Sequence, residues 1–460
     1  MARDGLRRFL PPDATAWGAA AAGACLILVI AVVVALRPGP SRPHCDRENL
    51  VVVGGTDVSL NYQRRKLIQD WNKKNPLRKA TLVEVADSTD LQHSQIKAVE
   101  ESGGCDYDVL IMDNTWTAQF ASSGYLRPLD DINEGEDFFG LALQTGAWEG
   151  VQYAVPFNVD VGLLYFRKGA KVPAAWPDLL DSGVAMQFGD YEGRTVNALE
   201  AVWNGGGAGL LSGDGHPGRA DLRKRVFPAL VWLAKRLVRL AKRQPQLVAA
   251  SREAKEQDSI QAFVSGTSRM RNWPYAFSAL ATDPRMRNGD ELNFGVRELP
   301  GDGVLGGQNL AVSAYSPHPE DAVKLVNFLS DKDSQIKLFS CGGFAPARHS
   351  ALGLRPGDLS PSAVSVAPCD LGRDKGEAEE SFLPSQAQLT TLGRAIVGAL
   401  PRAQSRPVTP HYSTFSATFR DCVEKIFRGE ESKPQNDARV DAASFARAVD
   451  QSLDGRTASC

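Results

Sequence analysis

The feature that most constrains this chain is an alternation of short apolar runs with helical patterns, beginning at Asn49. Asn49-Leu-Val-Val-Val53 is β-branched and stops at Gly54-Gly55, Ala80 to Val85 is a second run, and Tyr107-Asp-Val-Leu-Ile-Met112 a third. Runs of this kind suit strands buried on both faces. Between them the period changes. Leu60, Leu67, Ile68 and Trp71 share helix faces before a stop at Asn75-Pro76, and further helices are expected over 90–101 and 115–123. Strand, helix and strand in succession imply parallel βαβ units with right-handed crossovers. At 460 residues there is material for two cores.

The carboxyl ends of these strands carry Gly54-Gly-Thr-Asp57, Asp87-Ser-Thr-Asp90 and Asp113-Asn-Thr-Trp116. Open α/β sheets bind ligands in the crevice at such ends. Asp87, Thr89 and Asp113 are also good helix N-caps, the simpler role for any one of them. The cluster as a whole favours a site. Farther on, Val155-Pro-Phe-Asn-Val-Asp160 sets an amide and a carboxylate inside an apolar run, which is unfavourable in a core without partners. A strand crossing between two lobes, with Asn158 and Asp160 facing a cleft, removes that objection.

Gly266-Thr-Ser-Arg-Met-Arg-Asn-Trp-Pro-Tyr275 places Trp273 and Tyr275 on either side of a proline that bars a regular helix or a central strand. Core packing competes as an explanation, but with Arg271 and Asn272 alongside, a ligand platform is the better reading. Aromatic faces beside fixed amides and carboxylates suit sugars, whose rings offer apolar C–H faces and polar hydroxyls.

Other classes have less support. A net charge of −2 offers no basic footprint for nucleic acid. Gly301-Asp-Gly-Val-Leu-Gly306 matches a dinucleotide fingerprint, yet a strand-like run follows where a helix is needed. The six histidines are scattered without metal-ligand spacing, so neither a metal nor a cofactor is expected. Asp87, Asp90 and Asp113 leave a glycosidase as a minority alternative. Later segments read as a helix over 176–180, a long helix over 227–242, a helix closed by Gly266, and a strand over 305–313 returning toward the first lobe. Helices follow over 322–328, 389–400 and 412–428, with loop over 355–381. Lys235, Arg236, Arg239, Lys242 and Arg243 are expected on a solvated helix face.

Ala16 to Leu36 is apolar and uncharged, preceded by Arg3, Arg7 and Arg8. About 20 such residues span a bilayer, so residues 16–36 are expected to be a transmembrane anchor, with 1–15 cytoplasmic and 37–47 a linker. A cleaved signal, with small residues at Val33-Val-Ala35, stays open as the alternative. Arginines flank both ends, so orientation rests on the cysteines. Cys25 lies in the apolar run, and as a lipid acceptor it opens the Leu/Ile/Val-rich core of that run where it ought to close it. The other six form an even, dispersed set that fits an oxidising, extracytoplasmic compartment.

Several ordered motifs resemble the bacterial extracellular solute-binding proteins of ABC sugar importers, the maltose/trehalose-binding group. They include Gly124-Tyr-Leu-Arg-Pro-Leu-Asp130, Val155-Pro-Phe-Asn-Val-Asp-Val-Gly-Leu-Leu-Tyr-Phe-Arg167, Asn272-Trp-Pro-Tyr275, Leu305-Gly-Gly-Gln-Asn-Leu310, Gly342-Gly-Phe-Ala-Pro-Ala-Arg348 and Arg406-Pro-Val-Thr-Pro-His-Tyr412. The resemblance spans about residues 48–455. It implies a two-lobed periplasmic-binding-protein-like α/β fold (type II), with lobe 1 near 48–157 and 310–360 and lobe 2 near 158–309 and 361–460. It also implies that Asn158 and Asp160 hydrogen-bond sugar hydroxyls, Asp57 and Asp113 contribute acceptors from the first lobe, Trp273 and Tyr275 stack or line the pocket, Gly307 and Gln308 approach from the returning strand, and Arg406 reaches the sugar. Family members often carry an aromatic where Gln308 stands. The implied partners are ABC permease subunits, with a ligand-sensing subunit of a signalling system as the alternative. Cys45 and Cys105 precede strands whose starts are candidate neighbours. Cys341–Cys369 and Cys422–Cys460 are the simplest remaining pairs among fifteen connectivities.

Overall fold

Two sheets are stitched together by two chain segments that run from one into the other. The computed structural model describes residues 45, 47–86, 88–130, 132–370, 382–431 and 440–460. The first sheet has the order Ala80–Val85, Leu50–Gly55, Val109–Asp113, Gly303–Val312, Ala154–Val161, with Ala403–Ser405 beside the start of Gly303–Val312. Its first three strands are parallel, as the βαβ pattern requires. Gly303–Val312 runs antiparallel to Val109–Asp113 and to Ala154–Val161, so the sheet is mixed.

Both faces of this sheet are covered, which is why its strands read as continuous apolar runs. Leu50, Val52, Val109 and Ile111 pack on one face with Leu67 and Trp71 of helix Gln63–Lys74 and Leu325 of helix Pro319–Leu329. Val53, Leu110 and Met112 pack on the other with Ile96 of helix Thr89–Glu101 and Phe120 of helix Thr117–Ser122. Fully burying a side chain of this size stabilises by about 1.5–3 kcal/mol.

The second sheet has the order Phe294–Glu298, Leu163–Arg167, Arg269–Asn272, all antiparallel. Leu163 and Tyr165 face a core with helices Glu256–Val264, Ala276–Thr282 and Gln386–Ala399. Leu164 faces a helical core built from Glu192–Val202, Phe227–Ala241, Tyr412–Glu431 and Ala442–Leu453. The chain passes between sheets at Gly162 and again between Glu298 and Gly303. Side chains near these two passages therefore stand between the sheets.

Helix Phe227–Ala241 buries Leu230, Leu233, Leu237 and Leu240 at helical spacing. Its basic face needs one correction. Lys235, Arg239, Lys242 and Arg243 are exposed, but Arg236 is half-buried, pairing with Asp181 and lying over the Trp232 ring. The disulfides are Cys45–Cys105, Cys341–Cys369 and Cys422–Cys460. The apolar run 16–36, Cys25, most of the linker and Asp87 lie outside the described residues. Among the described residues no helix is long and apolar enough to cross a membrane.

Candidate functional site

The centre of the site is a polar rung across three adjacent strands. Gln308 is the register partner of Asp113 on one side and of Asn158 on the other, so the three side chains share one face. One rung along, Gly306 faces Asp160. Asn158 and Asp160, two apart on one strand, meet through an Nδ2–Oδ2 hydrogen bond of 3.2 Å. Gly307 between the rungs holds φ +117°, and a Cβ there would come within 2.4 Å of Asn158 O. Only glycine lets the two strands approach this closely.

Two oxygens of this rung are buried without hydrogen-bond partners, Asn158 Oδ1 and Asp160 Oδ1. Burial pushes the Asp160 carboxyl up to about 7. Asp113 adds to the rise, while Asn158, Arg271 and Arg64 oppose it. Buried polar atoms are normally paired, so such orphans mark a place where something else is expected to bind.

The second lobe supplies the aromatic wall. The Trp273 ring edge would lie 3.4 Å from a Cβ on Gly306, above Asp160. Its other support is the Arg271 guanidinium, 3.9 Å from the ring centroid. Arg271 is held by Glu200 through hydrogen bonds of 2.6 and 3.1 Å, both residues fully buried. Tyr165 donates its hydroxyl to Trp273 O at 2.8 Å and to Pro274 O at 3.2 Å, fixing the Trp-Pro turn. Asn272 accepts from Trp273 N and donates to Glu256 O and Ser259 Oγ. Arg271 and Asn272 therefore hold the platform from behind and are not part of its face. Tyr275 stacks on Phe344 at 5.8 Å.

The first lobe contributes Arg64, which sequence reasoning passed over. It donates to Gly55 O at 3.2 Å and to Gln308 Oε1, and lies over the Phe344 ring at 4.9 Å. Gln308 Oε1 is thereby committed to Arg64. Asp57 is turned to its own loop, accepting from Ser59 N at 3.0 Å and from Ser59 Oγ. Ser59 Oγ in turn accepts from Gln63 N at 2.7 Å at the start of the next helix.

Arg406 is engaged by protein on both sides. Nη1 donates to Glu192 Oε1, and Nη2 to Asp113 Oδ1 and Asn114 Oδ1, each at 2.8 Å, leaving Nε unpartnered. Burial works against its charge, but Asp113, Tyr412 and Glu192 outweigh that and raise its pKa. Asp113 also caps its own turn through Thr115 N at 2.9 Å while it accepts from Arg406. Asp90 pairs with Arg420 at 2.7 Å.

Two cavities flank this centre. One of about 1070 Å³ is lined by Asp57, Tyr62, Lys66 and Tyr275, the other of about 580 Å³ by Asn114, Trp148, Leu305 and Arg406. Neither is lined by Asn158, Asp160, Trp273 or Gln308, which lie between them where the lobes meet. The structure thus brings Asp113, Asn158, Asp160, Trp273, Gly307 and Gln308 into one central cluster, with Asp57, Tyr275 and Arg406 at its edges. Helix Glu192–Val202, which supplies Glu192 and Glu200, is buried throughout and gave no amphipathic signal.

Two α/β lobes connected by crossing strands, with polar side chains facing the gap at the crossing, define the two-lobed fold of binding proteins that close on a ligand. The chain belongs to the bacterial extracellular solute-binding protein family, whose model matches residues 58–336. That makes it a binder of solutes and not an enzyme. Similar solved structures include maltose-bound MalE3 of T. maritima, 22% identical with a TM-score of 0.69 over 88% of this chain and 99% of that one. Another is a solute-binding protein of Thermotoga lettingae bound with alpha-D-tagatose, 19% identical with a TM-score of 0.68 over 88% of this chain and 100% of that one. A Deinococcus radiodurans protein described as a probable ABC transporter-binding protein is 26% identical over 303 residues, 58% of this chain and 68% of its own length.

Proposed function

We propose that this chain captures a sugar, a di- or oligosaccharide such as trehalose or maltose, between its lobes and delivers it to the permease of an ABC importer. The observation that carries the reading is the Asp113–Gln308–Asn158 rung with Asp160 beside it and Trp273 above it. It combines buried acceptors for hydroxyls with a fixed aromatic face. The sugars named for the T. maritima and T. lettingae proteins, and the transporter named for the Deinococcus relative, agree with it.

In this reading lobe 1 comprises about 48–157 and 310–360, and lobe 2 about 158–309 and 361–460. The lobes part to admit ligand and close where it adds contacts. Asn158, Asp160 and Gln308 hydrogen-bond it and Trp273 stacks, with Asp57, Tyr275 and Gly307 shaping the approaches. The segment 16–36 tethers the binding domain on the extracytoplasmic side of the membrane. The test is a thermal-shift screen against trehalose, maltose, longer glucans and other disaccharides. Ligand at about 100 times its Kd adds roughly 2.7 kcal/mol. A shift with one sugar, lost in Trp273→Ala, supports the reading; no shift with any sugar contradicts it.

A further inference from the structure

The central rung has an uneven set of hydrogen-bonding atoms. Asn158 Oδ1 and Asp160 Oδ1 are two buried acceptors with nothing to accept from. Asn158 Nδ2 is already given to Asp160 Oδ2, and Gln308 Oε1 already takes Arg64. Two acceptors on one side of the rung therefore look for a donor-rich ligand group.

The charges are uneven as well. Arg271 is bound twice by Glu200, whereas Arg64 donates only to the neutral Gly55 O and Gln308 and its charge is shared among Asp57, Asp160 and Glu84. Asp113 shares Arg406 with Glu192. On the aromatic side, Tyr275 lies near both Asp160 and a second half-buried carboxyl, Glu256, which stands beside Tyr191 and Trp273. Lys255 lies over the Tyr191 ring at 5.8 Å. Asp160 is left sharing Arg64 with two other carboxylates, its Oδ1 buried and unpartnered near the edge of the Trp273 ring.

A neutral sugar meets this poorly. One hydroxyl donates once, so two adjacent hydroxyls are needed, and the Asp160 charge stays only partly compensated, by Arg64 and Arg271. A protonated amine offers three donors at one atom, satisfies both acceptors and neutralises the carboxylate, and the aromatic wall favours a cation. We propose that the cleft selects an amino sugar, its ammonium group between Asn158 Oδ1 and Asp160 Oδ1 and its apolar ring face on Trp273. This rests on the sugar-binding reading above.

Titration calorimetry of the protein with 2-amino-2-deoxytrehalose against trehalose, and with the β-1,4-linked glucosamine disaccharide against cellobiose, tests it. The expected result at pH 7.5 is about ten-fold or tighter binding of one amino form over its neutral parent, the scale of a charge-assisted hydrogen bond. At pH 6 that binding releases a proton as Asp160 ionises, seen as a buffer-dependent heat absent for the neutral sugar. Asp160→Asn removes the preference and the proton release while changing affinity for the parent less. Should that variant fold poorly, Asn158→Ala, which removes one acceptor, is expected to reduce the preference. Equal or tighter binding of the neutral parents overturns the proposal and leaves the sugar-binding reading standing. Absence of binding by these sugars and by the wider screen overturns both.

Discussion

Arg406 joins the two lobes through Asp113: Nη2 lies 2.8 Å from Asp113 Oδ1 at the end of a first-sheet strand, while Nη1 lies 2.8 Å from Glu192 Oε1 of a second-lobe helix. Glu192 is further held by the Tyr412 hydroxyl and by Ser416 Oγ at 2.6 Å, so the guanidinium is anchored in lobe 2 and reaches lobe 1. Opening the cleft has to break the Asp113 side. Removing the arginine leaves two buried or half-buried carboxylates unpaired, which costs about 3–5 kcal/mol. Arg406→Met is therefore expected to lower the melting temperature and shift the ligand-free protein toward an open form. Small-angle scattering reads this as a larger radius of gyration; an unchanged radius would show that the pair does not bridge the lobes.

Asp160 carries the opposite expectation. Its carboxyl titrates at about 7 in the fold, well above the usual 3.8, because it is buried. A raised acid makes the folded state bind more protons than the unfolded one between these values. Stability from this group is greatest below pH about 4 and is lost as pH rises to about 7. Asp160→Asn should stabilise the protein at pH 8, by on the order of 2–4 kcal/mol, and flatten the pH dependence between 5 and 7. Urea titrations at pH 5 and 8 measure both effects. Destabilisation at pH 8 would contradict this account of the rung.

Gly307→Ala is expected to be among the most damaging single-methyl changes. The backbone is left-handed there and the new Cβ would stand 2.4 Å from Asn158 O. Left-handed strain alone is about 1–2 kcal/mol, and the clash forces the strands apart. Ligand binding should fall along with stability. Retained affinity in a folded variant would mean that the spacing of the two strands is not critical.

Tyr165→Phe separates positioning from contact. The hydroxyl meets backbone groups of the Trp-Pro turn and of Phe277 just beyond it, so its loss should cost about 1–2 kcal/mol of stability. It should weaken binding several-fold by loosening Trp273. An affinity equal to wild type would show that the turn is held by Arg271 and Glu200 without it.

The first lobe was the most legible part of the sequence. Its strands alternate with helices and are buried on both faces, so their apolar runs and Asp or Gly stops mark the sheet ends directly. The crossing strand was legible for the opposite reason: Asn158 and Asp160 break an apolar run and need a cleft. Glu192, Glu200 and Arg64 were not. Glu200 and Arg271 meet across 71 residues, and neither carries a local pattern that announces the pair. Arg406 was found by motif, but the sequence offered no means of seeing that its ends are divided between Asp113 and Glu192. Strand order made Cys45 and Cys105 candidate partners and adjacency suggested the other two pairs, but fifteen connectivities stayed open until the structure showed these three.

Reduction should expose how much those disulfides contribute. They close loops of sequence separation 60, 28 and 38, for which chain entropy gives about 3–4 kcal/mol each. Melting in reductant is expected at a clearly lower temperature than without it. Coincident curves would argue against a structural role.

The most direct test of the central claim is a calorimetric titration of wild-type protein, Trp273→Ala and a distant control, Leu77→Ala, with the sugar that gives the largest thermal shift. The account predicts single-site binding in wild type and control, and a loss of at least about ten-fold in Trp273→Ala, the scale of a removed aromatic contact. Undiminished binding by Trp273→Ala would place the ligand somewhere other than this cleft.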